Sequence, residues 1–95
     1  MKEYTFFIGS DNKTHRVSEE HLNRIKKILN SELDAFTIYE GKGVWKKTEE
    51  DSIIVEVISN EDIKNKIKAI AQRLKKELKQ EAIFIVEQEV NAYLI

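Results

Sequence analysis

Ser52-Ile-Ile-Val-Glu-Val-Ile58, Ser59-Asn60-Glu61-Asp62, Ile63 to Leu78, and Ala82-Ile-Phe-Ile-Val86 follow one another almost without a break. The first stretch is rich in β-branched residues, as strands are. The second supplies side-chain oxygens of the kind that satisfy free N–H groups at a helix start. Ile63, Ile67, Ile70, Ala71, Leu74 and Leu78 recur at steps of three and four, which sets them on one helical face. The last stretch returns to strand character. A strand, an amphipathic helix and a second strand therefore form the centre of an α+β fold.

The rest of the chain extends this unit. Glu3 to Ile8 reads as a strand with Tyr4, Phe6 and Ile8 on one side and Thr5 and Phe7 on the other. Gly9 to Thr14 is a run of turn residues. Ser18 is placed to cap a helix, with Glu19 and Glu20 in the first turn where the helix dipole favours carboxylates. Leu22, Ile25, Ile28 and Leu29 make its apolar stripe, and Asn30-Ser31 marks its predicted end. Leu33 to Tyr39 reads as a strand. Gly41-Lys42-Gly43 predicts a bulge or sharp bend, beyond which Val44-Trp45-Lys46-Lys47 continues. Thr48 to Asp51 reads as a polar turn. Glu87-Gln88-Glu89 reads as a break, and Val90 to Ile95 as a short final strand. The order β, α, β, β, α, β is the ferredoxin-like plan, with both helices on one face of an antiparallel sheet.

The chain's 95 residues make one domain. Sixteen basic and seventeen acidic residues give a net charge of −1. That argues against a protein that holds bulk nucleic acid through a positive field. Cys is absent, so thiolate metal sites and disulfides are excluded. No apolar run approaches the roughly 20 residues of a membrane span, and the start lacks the marks of a secretion signal. The expected location is the cytoplasm. Phe7, Tyr39 and, depending on register, Ile54 with Ile58 and Phe84 with Val86 fall on the face away from the helices. A solvated face would alternate to polar residues. Self-association as a homodimer or larger ring is expected, unless the final strand folds over this face.

Candidate chemistry is sparse. His21 reads as a solvated helix residue and His15 as a loop residue with no metal-ligand or triad spacing around it. No metal and no cofactor is expected. The carboxylate run Glu49-Glu50-Asp51 reads as a solvated turn, and Glu87 and Glu89 as an alternating pair on one strand face. Two loops point to a ligand. Lys13, His15 and Arg16 precede a helix N-terminus, where free N–H groups and the dipole favour anions, although Glu19 and Glu20 oppose one. Tyr39, Lys42, Trp45, Lys46 and Lys47 surround two glycines, joining aromatic faces that stack on bases to cations that meet phosphates. The competing reading of the second loop is a bent hairpin arm with Trp45 in an interface. Seven basic and four acidic residues between positions 61 and 81 leave the second helix basic on its outer side.

Phe36-Thr-Ile-Tyr39, Gly43-Val-Trp45, an acidic stretch with a Val/Ile strand, and Gln80-Glu81-Ala-Ile-Phe-Ile-Val86 together resemble a widespread group of small α+β domains, largely uncharacterised. Tyr4-Thr-Phe-Phe-Ile-Gly9-Ser-Asp-Asn-Lys13 also looks like the start of small phage-encoded proteins. Among that class are anti-defence sponges, which assemble as oligomers and trap nucleotide immune signals. The resemblance implies a ferredoxin-like domain acting in the host cytoplasm, and it carries over no ligand-contacting residue. The first functional expectation is a non-enzymatic homo-oligomer that sequesters a small anionic, nucleotide-type ligand. Lys13, His15, Arg16, Lys42 and Lys47 would meet phosphates, and Tyr39 or Trp45 a base. The alternative is an inhibitor or interaction module acting through the apolar face or the basic helix. A small dimeric isomerase- or oxygenase-like enzyme is the third reading.

Overall fold

Strand pairing in the computed structural model, which describes residues Met1–Ile95, follows the order expected for the ferredoxin-like plan. The elements are β1 (Lys2–Gly9), α1 (Glu19–Glu32), β2 (Thr37–Trp45), β3 (Thr48–Ser59), α2 (Lys64–Glu77) and β4 (Phe84–Glu89). The sheet runs β2-β3-β1-β4, and every neighbouring pair is antiparallel. The two central strands are thus the first and third in the chain. They carry the densest apolar alternation.

The helices cover one face. Tyr4, Phe6 and Ile8 of β1 and Ile53, Val55 and Val57 of β3 are buried against Ile25 and Leu29 of α1 and Ile67, Ile70 and Leu74 of α2. The steps of three and four in each helix place these residues in one stripe. Burying a Leu, Ile or Phe side chain contributes about 1.5–3 kcal/mol, so this layer dominates the stability. α1 begins as the sequence indicates, with the Ser18 hydroxyl accepting from the His21 amide at 3.0 Å. α2 is capped differently. Its Ile63 amide donates to the Tyr4 hydroxyl at 3.2 Å, and Asp62 Oδ1 accepts from the Lys64 amide at 3.0 Å.

Several boundaries differ from the sequence reading. β2 starts at Thr37, and Leu33 is the buried C-cap of α1. β2 then passes through Gly41 and Gly43 with unbroken one-to-one pairing to β3 and no bulge. A methyl at Gly41 would lie 2.9 Å from Ile54 Cδ1, so the glycine makes room for a cross-strand neighbour. The polar stretch Thr48 to Asp51 is strand. The turn is Lys46-Lys47, whose φ angles of 50° and 65° fit a two-residue type I′ hairpin turn. Asn-Gly or Asp-Gly would have announced such a turn, and two lysines do not. β4 takes in Glu87-Gln88-Glu89, which pair with Tyr4, Glu3 and Lys2. An edge strand with one solvated side accommodates those polar residues. Residues 90–95 form no strand.

Candidate functional site

The open face of the sheet ends in a cleft of about 250 Å³, between the tip of the β2–β3 hairpin and the segment that leads from α2 into β4. Period-two alternation brings Phe7, Ser52, Glu50, Gly43 and Trp45 to this side of the sheet. Gly9 and Gly43 leave its floor without side chains. Phe7 and Phe84 stand edge to face, with ring centroids 6.1 Å apart, and form one wall. Trp45 forms the opposite wall and is half exposed. Its indole N–H donates to Glu81 Oε2 at 3.2 Å. Lys46 Nζ reaches Glu81 Oε1 at 2.7 Å and lies 6.0 Å from the Trp45 ring centroid. Lys46 first, and then Trp45, hold the Glu81 carboxyl below its ordinary pKa.

Glu50 lies deeper. Its Oε2 accepts from the hydroxyl of fully buried Ser10 at 3.2 Å. The Ser10 carbonyl in turn accepts from Gln80 Nε2 at 2.9 Å. A methyl at Gly9 would sit 2.6 Å from Gln80 Oε1 and 3.1 Å from Glu50 Oε1, so only glycine fits beside this network without displacing it. Glu50 is half-buried and makes no ion pair, whereas Glu81 is matched by Lys46. The cleft therefore combines aromatic walls, a bare floor and one carboxylate without a counter-charge.

The residues anticipated from sequence do not gather in one place. Trp45 lines the cleft, and Lys47 occupies the hairpin tip outside its lining. Tyr39 is on the open face farther along β2, where its hydroxyl donates to Glu56 at 2.9 Å; that hydrogen bond raises its pKa. Lys42 projects from the opposite face of β2 and pairs with Asp51. That contact raises the pKa of Lys42 and lowers that of Asp51. Lys13, His15 and Arg16 belong to a loop organised by Asp11. Its Oδ1 accepts from the Lys13 and Thr14 amides at 2.8 and 3.2 Å, which lowers the Asp11 pKa. Those two amides are already satisfied by a carboxylate and are not offered to an anion. His15 has φ 58°, and its carbonyl accepts from the Asp51 amide at 3.0 Å. Lys13 lines a separate groove of about 260 Å³ with His21, Arg24 and Lys79, facing Asp11 and Glu77.

His21 departs most from the sequence reading. It is buried, and its Nε2 lies 2.9 Å from the Gly9 carbonyl oxygen. The ring joins the start of α1 to the end of β1, directly behind the cleft floor. Sequence reasoning also missed Glu50, Ser10 and Gln80. The signal available was indirect: Gly43-Val-Trp45 and Gln80 to Phe84, two of the segments that carried the family resemblance, converge on this cleft. No group of three or more His, Asp or Glu side chains forms a metal-holding cluster. No helix is long and apolar enough to cross a membrane.

Solved structures share this fold at low sequence identity. A phage SAM lyase in its apo state superposes with a TM-score of 0.70 at 19% identity, covering 92% of this chain and 78% of that one. A DUF3240 family protein from Shewanella baltica OS155 gives 0.64 at 12% identity over 99% of this chain and 97% of its own. An Arabidopsis thaliana protein gives 0.57 at 11% identity, with both chains fully covered. No protein-family model matches the sequence, and neither does any curated protein. The chain is thus a small ferredoxin-like α+β domain with phage-derived and uncharacterised structural neighbours.

Proposed function

We propose that this chain is a self-associating binding domain that holds a small ligand carrying both a flat ring and a positive charge, of the adenosyl sulfonium class, in the open-face cleft. The observation that carries this reading is Glu50: a half-buried carboxylate with no cation beside it, at the base of a cleft walled by Trp45, Phe7 and Phe84. Aromatic faces attract both planar rings and cations. A carboxylate held in partly desolvated surroundings favours a positive partner and disfavours phosphate. The anionic ligand expected from sequence fits this cleft poorly, because Lys13, Lys42 and Lys47 lie outside its lining and Lys46 is paired with Glu81. The nucleoside half of that expectation is retained, and the sign of the charge changes. The fold shared with a phage SAM lyase supports the ligand class, since S-adenosylmethionine joins an adenine ring to a sulfonium centre. Trp45 would stack on the ring, and Glu50 would face the sulfonium.

The first reading is sequestration without chemistry, in keeping with an anti-defence role. A second reading, favoured by the phage lyase neighbour, is that the chain breaks down the ligand it binds. One experiment separates them. S-adenosylmethionine is incubated with the protein, and bound, free and converted compound are quantified by liquid chromatography with mass detection. Retention of intact compound in proportion to protein supports sequestration. Time-dependent loss beyond one equivalent supports a lyase. No retention and no loss overturns both.

A further inference from the structure

Two oxygen atoms converge on one point of the cleft floor, and neither meets a donor from the protein. Gly9 follows Phe7 by two residues along β1, so a side chain there would point to the open face. The place of its missing Cβ lies 2.6 Å from Gln80 Oε1 and 3.1 Å from Glu50 Oε1. The other oxygen of Glu50 accepts from Ser10, which leaves Oε1 free. The orientation of Gln80 is fixed from the other end of its amide. Nε2 donates to the Ser10 carbonyl at 2.9 Å. A carbonyl can receive only a donor, so the amide must turn Oε1 to the cleft. The backbone of Gln80 is held as well. Lys79 has φ 54°, and the Lys79 and Gln80 amides return to the Lys76 and Lys75 carbonyls at 3.3 and 2.9 Å, the Schellman closure of α2. Asn12 Nδ2 donates to the Lys79 carbonyl at 2.9 Å and ties this turn to the loop after β1. Both acceptors are thus set in place before any ligand arrives.

We propose that Gln80 Oε1 and Glu50 Oε1 form a subsite for a primary ammonium group, and that Gln80 selects ligands that carry one beside the sulfonium. The inference rests on the binding reading above and names a second group that the ligand must bear. An ammonium has three N–H donors and no acceptor, which suits a pair of acceptors. Because both oxygens lie close to one point, a single nitrogen beside Gly9 can donate to both. Glu50 supplies the charge-assisted bond, and Gln80 a neutral acceptor that adds direction without adding charge. A hydroxyl has one O–H and can satisfy only one of the two. A phosphate or carboxylate brings no N–H and meets Glu50 with like charge. No cation of the chain competes for the place, since no lysine or arginine lines the cleft and Lys46 is paired with Glu81. In the adenosyl sulfonium class the group concerned is the amine at the end of the short carbon chain on sulfur. That chain is flexible enough for Glu50 to face the sulfonium and the ammonium together. Gln80 touches only the second, so it separates ligands that Glu50 alone would not.

Calorimetric titration of the full chain with two sulfonium compounds tests the subsite. Decarboxylated S-adenosylmethionine carries the adenosine, the sulfonium and a primary ammonium. The dimethylsulfonium analogue of adenosine carries only the first two. Wild type should bind the ammonium compound at least about tenfold more tightly. Gln80→Met removes the amide at nearly constant length. It should cut that preference severalfold while the affinity for the dimethylsulfonium compound stays nearly the same. A purely structural role for Gln80 would lower both affinities alike. Gly9→Ala puts a methyl beside the two oxygens and should reduce the preference in the same way, so it decides the matter if melting curves show Gln80→Met unfolded. Equal affinity of wild type for both compounds, or a preference that the folded variant retains in full, overturns the ammonium subsite and leaves the sulfonium reading standing. Binding of neither compound by wild type overturns the reading on which the subsite rests, and the subsite with it.

Discussion

Tyr4, Phe6 and Ile8 alternate along β1 with Thr5 and Phe7, and the two faces they serve have different fates. The first three are at most 1% exposed beneath the helices, whereas Phe7 is 39% exposed on a face with no cover. Backbone and hydrogen-bond ladder are shared, so the contrast belongs to the side chains and to what packs on them. The helix-covered face closes a core from residues near and far in the chain. The open face keeps comparable apolar character, and part of it lines the cleft. Stability resides mainly on one side of this sheet, and the proposed binding site on the other.

The largest expected effect lies on the covered side. Phe6→Ala empties a fully buried ring site and should destabilise the fold by about 3–5 kcal/mol, measured by urea unfolding. Phe84→Ala, at 65% exposure on the open side, should cost less than about 1 kcal/mol. Equal losses would break the comparison. Next comes Trp45→Ala. It should weaken ligand binding by at least about tenfold, roughly 1.4 kcal/mol, and leave the melting temperature nearly unchanged. A large fall in melting temperature would mean that Trp45 supports the fold.

Tyr4→Phe sharpens the contrast within the covered face. It removes the hydroxyl that accepts from Ile63 and donates to Asp62 at 3.3 Å, at a cost of about 1 kcal/mol. Burial raises the Tyr4 pKa above its ordinary value, so its contribution is present below about pH 10 and is lost as pH rises through the folded value. The alkaline limb of stability should therefore flatten in Tyr4→Phe. The smallest effect is expected at the Lys42–Asp51 pair, which is exposed and screened by salt. Hydrogen bonding to Lys42 lowers the Asp51 pKa, so its contribution holds at neutral pH and disappears as pH falls below about 4. Asp51→Asn should shift the melting temperature slightly at neutral pH, and the shift should shrink in acid or high salt.

Much of the covered face was legible in the sequence, because burial leaves a periodic trace. The stripe from Ile63 to Leu78 and the Ser18 cap both identify their elements. Turn geometry was less legible, since Lys46 and Lys47 adopt positive φ without glycine or asparagine to signal it. Register was also hidden. Thr48 to Asp51 reads as turn by polarity, yet pairing with β2 makes it strand. The cleft was the least legible part. Ser10, Glu50 and Gln80 are far apart in sequence, and their polar types each suit a solvated loop. Only the β1–β3 register and the return of the chain from α2 bring them together. His21 shows the same limit: helical spacing puts it near the polar side, but the end of β1 buries it.

Calorimetric titration of wild type and Glu50→Gln with S-adenosylmethionine and its neutral thioether relative, S-adenosylhomocysteine, tests the central claim most directly. The account predicts that wild type prefers the sulfonium by about tenfold, and that Glu50→Gln loses this preference while still binding the thioether. Equal affinity of wild type for both compounds, or a preference that survives in Glu50→Gln, would contradict it.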